Sequence, residues 1–169
     1  MKKITLFCVA AFFSMLSFAQ DKSADIIKVG DDMPAFTINS TVNGTIQSKD
    51  LKGKVVLINI FATWCPPCQK ELAEVQKTLW PKFKDNKNFR MLVIGREHTD
   101  EQLTKYNEKK GFTFPLYPDP KREITGKFAT SLIPRTYLIN KEGKVIEATS
   151  GYTDEAMVKL IQEIEKALK

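Results

Sequence analysis

Cys65-Pro66-Pro67-Cys68 is the tetrad in this sequence with the most chemistry in it. Two thiols separated by two residues can close on each other or exchange with a disulfide elsewhere, and the thiolate is the reactive form. Residues 55–62 before the tetrad read VVLINIFA, an apolar run suited to a strand buried on both faces. After it, Leu72, Val75, Leu79 and Phe83 recur at helical spacing, with Pro81 expected to kink or end the helix. Cys65 is therefore expected at a helix N-terminus, where unpaired N–H groups and the macrodipole favour negative charge. Cys68 falls one turn further on, within disulfide reach of Cys65. Pro66 and Pro67 cost little there, because first-turn N–H groups are unpaired in any case. The predicted chemistry is thiol–disulfide exchange: Cys65 attacks, a mixed disulfide forms, and Cys68 resolves it. Trp64 is expected to shield the pair and offer an apolar contact to the partner.

Other readings of the pair are open to the same residues. A zinc site needs about four ligands, and Cys65, Cys68 and the single histidine, His98, are too few, so no metal is expected. A purely structural disulfide across two residues closes almost no loop and stabilises little. The dithiol could also be vestigial on a chaperone-like binding module, in which case Cys65→Ser would leave function intact. His98 follows a strand end and reads as an exposed loop histidine. No cofactor is implied.

The remaining elements follow from local pattern. Residues 35–40 and 45–47 flank Asn43-Gly44, a two-residue hairpin signal, and Ser48 is expected to cap a short helical turn. Residues 89–95 (FRMLVIG) are a second buried-type strand, and Thr99 with Gln102 fits a capping box for a helix ending near Gly111. Residues 114–120 are proline-punctuated, expected as loop with a short extended piece, and a brief helix is expected over 122–129. Residues 135–140 and 144–149 should pair antiparallel through Lys141-Glu142-Gly143. A terminal amphipathic helix over 153–168 carries Met157, Leu160, Ile161, Ile164 and Leu168 on one stripe. Strand–helix alternation closed by a hairpin implies one α/β domain with a mixed sheet.

The first twenty residues, MKKITLFCVAAFFSMLSFAQ, have the grammar of a secretory signal peptide. Lys2 and Lys3 precede an apolar run, and Ser17 and Ala19 supply small residues at a cleavage site before Gln20. An uncleaved membrane anchor is the competing reading, since the run is a little short of a span. The expected organisation is a signal peptide over 1–19, a flexible tether over 20–29 and one domain over 30–169. Cleavage would place the protein in the periplasm or another extracytoplasmic compartment and remove Cys8, one of only three cysteines, leaving Cys65 and Cys68 where disulfides persist. The net charge of +6 and pI of 9.2 are spread among acidic residues, so they indicate a solvated surface and no nucleic-acid partner.

FATWCPPCQKE, the upstream Gly30, Pro34 and Phe36, and Ile133-Pro134 followed by RTYLIN resemble the thioredoxin superfamily. They are most similar to exported thiol:disulfide oxidoreductases of the TlpA/ResA type, across roughly residues 29–168. The resemblance implies a thioredoxin fold: a central mixed sheet flanked by helices, an N-terminal β-hairpin extension, and an insert between Gly95 and Pro134, before the closing hairpin. It also implies a cis-Pro134 opposite the dithiol, with Ile133 presenting backbone polar groups to a bound peptide. Thioredoxin proper has a buried aspartate six residues before the first cysteine, and here that position is Asn59. Glu71 lies three residues after Cys68 on a neighbouring helix face. Taken alone it reads equally as a solvated glutamate, whereas the resemblance makes it a proton acceptor for Cys68. A monomer is expected, and the resemblance further implies a reductant, exchanging with exported proteins that carry thiols or disulfides and with a membrane or periplasmic redox partner. By analogy, apocytochrome haem-binding thiols are one such substrate. Peroxiredoxins on the same fold place Thr or Ser three residues before the reactive cysteine, where this chain has Ala62.

Overall fold

A computed structural model describes residues 24–169. The expected signal peptide, Cys8 and the first part of the expected tether lie outside the described residues.

β3 (Val55–Phe61) is buried along its whole length, as its apolar run, interrupted only by Asn59, leads one to expect. It pairs parallel with β4 (Phe89–Arg96) and antiparallel with β6 (Arg135–Ile139). β5 (Leu116–Asp119) and β7 (Val145–Ser150) complete a five-stranded sheet of order β5-β4-β3-β6-β7. β5 is the short extended piece expected within residues 114–120. It is an edge strand parallel to β4, a position that tolerates Pro118 because an edge leaves one side of the ladder unpaired.

Period-two alternation along β3 feeds two apolar layers. Val55, Leu57 and Phe61 face Leu72, Leu79 and the Met157, Leu160 and Ile164 stripe of α5 (Asp154–Leu168). Val56, Ile58 and Ile60 face Phe36, Ile38, Phe128 and Tyr137 on the other side. Asn59 has the register of the first layer, so a polar side chain is set into an apolar face.

β1 (Thr37–Ser40) and β2 (Gly44–Gln47) form the expected separate hairpin. Its turn differs from the expected Asn43-Gly44 pair. Ser40 faces Gly44 across the ladder, so three residues make the connection and Gly44, at φ +77°, opens β2. The Ser40 hydroxyl accepts the N–H groups of Val42 and Asn43, and Asp100 accepts Ser40 Oγ and the Thr41 N–H, both at 2.7 Å. Those side-chain bonds fix the longer turn. Ser48 likewise does not cap its 3-10 turn; its hydroxyl accepts the Phe36 N–H at 3.0 Å.

The helical run after the tetrad passes through Pro81 without ending. α1 (Pro66–Glu74) leads into a π-helical turn (Val75–Leu79), then α2 (Trp80–Phe83). In the wider turn the Trp80 N–H reaches back five residues to Val75 O, which gives room for the Pro81 ring beside the carbonyl four residues earlier. α3 (Asp100–Lys110) begins at the full Thr99–Gln102 capping box and stops at Gly111 in the left-handed conformation. α4 (Thr125–Phe128) occupies the segment expected to hold a brief helix.

From Ala24 the expected tether is hydrogen-bonded to the domain. Asp25 bridges Ala129, Ile26 and Ile27 donate to Phe128 O, and Gly30 donates to Val145 O at 2.8 Å. It acts as a strap across the sheet end.

Gly95, near the end of β4, is required by close approach. A Cβ there would lie 2.6 Å from Leu103 Cδ2 and 3.3 Å from His98 Cβ. Leu103 is buried and has little room to swing. Gly95→Ala should lower stability by about 1–3 kcal/mol, read as a reduced denaturant midpoint.

Candidate active site

Cys65 is the N-cap of α1, and its sulfur accepts the Cys68 N–H at 3.3 Å. The two cysteines form a disulfide with Cα atoms 5.3 Å apart. That places Cys65 Sγ where the helix's free N–H groups and dipole stabilise a thiolate when the bond is reduced. Both sulfurs are almost covered, while Trp64, Pro66 and Pro67 around them are exposed. The Ile133–Pro134 peptide bond is cis, and the Ile133 carbonyl oxygen lies 3.9 Å from Cys65 Sγ. The structure thus brings Trp64, the dithiol and the 133–134 loop together, although Cys65 and Ile133 are 68 residues apart in the chain.

Glu71 is buried behind the dithiol, one turn beyond Cys68 on α1, and is not the solvated glutamate that its sequence alone allows. Its Oε2 accepts Asn59 Nδ2 at 2.8 Å and its Oε1 accepts the Thr136 hydroxyl at 2.9 Å. Asn59 Nδ2 also donates to Thr136 Oγ1 at 3.0 Å, closing a three-residue network. Burial pushes the Glu71 carboxyl up from 4.5 to about 7, because desolvation penalises the charged form more than the two hydrogen bonds favour it. A carboxyl near neutrality can both take up and give back a proton at ordinary pH.

His98 is a correction to the sequence reading. It is buried, not an exposed loop residue. Its Nδ1 donates to the Arg96 carbonyl at 2.6 Å, since a carbonyl can only accept, and Nε2 accepts the Thr63 hydroxyl at 2.8 Å. The ring stacks on Phe61 at 6.4 Å. His98 thereby holds the turn that carries Thr63 and Trp64 into the tetrad. Both ring nitrogens are committed to that task. Its sequence position after β4 gave no sign of it, because the contact spans 35 residues.

Three further residues went unrecognised in the sequence. Thr136 sits two residues after Pro134, where strand alternation turns it towards Asn59 and Glu71. Arg135 is the lone charge in a wholly buried strand, RTYLI, a pattern that signals a paired buried cation. Its partner, Asp25, lies in the strap and carries no motif.

Residues 29–148 match the model of the AhpC/TSA family. The chain is 33% identical over 125 residues to the thiol-disulfide oxidoreductase ResA of Bacillus thuringiensis (strain Al Hakam), covering 74% of this chain and 71% of that one. A ResA of Bacillus cereus is 30% identical over 163 residues, covering 95% of this chain and 92% of that one. Among solved structures, a Bacteroides thetaiotaomicron protein described as a protein disulfide isomerase superposes with a TM-score of 0.82 at 34% identity. That match covers 86% of this chain and 93% of the other. A Chlorobium tepidum protein described as the thiol:disulfide interchange protein DsbE gives a TM-score of 0.73 at 25% identity, covering 85% and 99%. The mixed sheet, the dithiol at a helix start and these likenesses agree: the chain belongs to the AhpC/TSA family of the thioredoxin superfamily and is a ResA-like thiol-disulfide oxidoreductase.

Proposed function

We propose that the protein is exported and works there as a monomeric reductant of proteins that carry disulfides. The Cys65 thiolate attacks one sulfur of the partner's disulfide and bonds to it as a mixed disulfide, the partner's S–S bond breaks, and its other sulfur leaves as a thiolate. Cys68 gives its proton to Glu71 and attacks Cys65 Sγ. The bond from Cys65 to the partner breaks, the partner's remaining sulfur leaves as a thiolate, the Cys65–Cys68 disulfide remains, and the partner has gained two electrons and takes up protons. A dithiol of a membrane or periplasmic partner then restores Cys65 and Cys68. Ile133, next to a proline that has no N–H of its own, offers backbone groups to the partner's chain beside the cysteine. Pro134 packs behind that edge, and Trp64, Pro66 and Pro67 form the apolar rim.

The observation that carries the exchange chemistry is the Cys65–Cys68 disulfide at the start of α1, with the buried Glu71 carboxyl, held at about 7, one turn beyond Cys68. A proton acceptor of that strength makes Cys68 a competent resolving thiol at neutral pH and serves exchange in either direction, so the reductant role rests on the likeness to ResA-type oxidoreductases. Export rests on the basic, apolar and small-residue order of residues 1–19. Ala62 offers no hydroxyl three residues before Cys65, so the peroxidase reading gains no support.

Trapping thiols by alkylation in intact cells tests the direction. The steady-state form should be the dithiol in most molecules; a pool held mainly as disulfide would overturn the reductant role. The same purified material should begin at Gln20 by intact mass, and retention of Met1 would overturn cleavage.

A further inference from the structure

The loop facing the dithiol is held from behind by two guanidinium groups. Three consecutive carbonyls are taken: Thr130 O by Arg122 Nη2 at 2.6 Å, and Ser131 O and Leu132 O by Arg135 Nε at 3.0 Å each. Arg135 itself is 2% exposed. A cation so buried needs a counter-charge, and the strap supplies it as Asp25, whose Oδ1 pairs with Arg135 Nη1. The same oxygen accepts Tyr137 Oη at 2.8 Å, and the neighbouring Ala24 O accepts the Thr130 N–H at 2.8 Å. The strap, β6 and the loop are therefore one hydrogen-bonded unit.

What the unit holds is an unfavourable shape. Leu132 has φ +58°, a left-handed conformation disfavoured for a branched side chain, and its side chain is 63% exposed. Left to itself, this backbone would relax and move the Ile133 carbonyl away from Cys65 Sγ.

We infer that Arg135, fixed by Asp25, is a positioning residue for the 131–134 loop, so that the segment immediately behind the leader forms part of the partner-recognition edge. Arg135 touches neither sulfur and acts only through the loop backbone. This inference rests on the reading of that loop as the element presenting backbone groups to a partner.

The test compares two substrates under turnover of the full chain, with a small dithiol in excess restoring Cys65 and Cys68 and its uncatalysed rate subtracted: a short peptide with an internal disulfide, which can engage the loop backbone, and a small aromatic disulfide, which cannot. Arg135→Gln should raise KM for the peptide about tenfold with kcat held within about twofold, and should change the aromatic disulfide reaction far less. Asp25→Asn keeps an acceptor oxygen and removes only the charge, so it should move peptide KM in the same direction by less, and it remains informative if Arg135→Gln fails to fold. The double variant should be no worse than Arg135→Gln alone. Equal losses on both substrates, or an unmoved peptide KM in a folded variant, would overturn the inference. Pro134→Ala separates the two levels. If it raises peptide KM while the Arg135 and Asp25 variants do not, only the brace fails; if none of the three does, the loop reading fails and takes the brace with it.

Discussion

Replacing Cys68 with serine is expected to leave Cys65 able to attack a disulfide and unable to be released from it. Cells expressing Cys68→Ser should accumulate adducts that run as a ladder on a non-reducing gel and collapse with reductant. Turnover with disulfide substrates should fall by about a thousandfold or more, the scale on which removing one member of a covalent catalytic pair is felt. The roles differ because the positions differ. Cys65 caps the helix and faces the Ile133 carbonyl across the site, whereas Cys68 lies inside the first turn and is 0% exposed. Cys65→Ser should give neither adducts nor turnover. An absence of adducts from Cys68→Ser would count decisively against the mechanism, and full function in Cys65→Ser would favour the binding-module reading. Identifying the captured proteins names the partners directly.

Replacing Glu71 with glutamine should slow exchange and stabilise the fold at the same time. A carboxyl at about 7 in the folded chain and near 4.5 when unfolded binds more protons in the folded state between those values. Stability therefore falls as pH rises through that window and levels off above it. At about 1.4 kcal/mol per pH unit, the ionised, desolvated group costs the fold about 3 kcal/mol above pH 7. Glu71→Gln removes that cost, so its melting temperature should exceed the wild type's at pH 8, with the difference vanishing near pH 4. Exchange at pH 8 should slow on the order of a hundredfold, the lower end for loss of a general base, and the pH–rate profile should lose its step near 7. An unchanged profile would remove Glu71 from proton transfer. A rise in stability accompanied by a loss of rate is the expected signature of a functional group kept in an unfavourable place.

What the sequence determined by itself is whatever a few neighbouring residues decide. The tetrad, the capping box at Thr99, the buried run of β3 and the stripe of α5 each depend on contacts within a turn or two, or on a short apolar run. All appear in the structure where the pattern put them. The dithiol needs only a strand before it and a helix after it to acquire its chemistry, so it was legible before any fold was known. Tertiary structure decided the properties that come from distant partners. Glu71 has its altered acidity because the packed layer around it excludes water, and the hydrogen bonds from Asn59, twelve residues earlier, and Thr136, sixty-five later, offset only part of that penalty. His98 is buried because Phe61 and Thr63 meet it from another strand end, and Arg135 is neutralised by Asp25 across 110 residues of chain. Desolvation and charge pairing depend on distance in space, which periodicity along the chain does not encode. The sequence therefore named the two sulfurs, and only the packed fold supplied the raised pKa of Glu71 and the hydrogen bonds behind the loop that faces them.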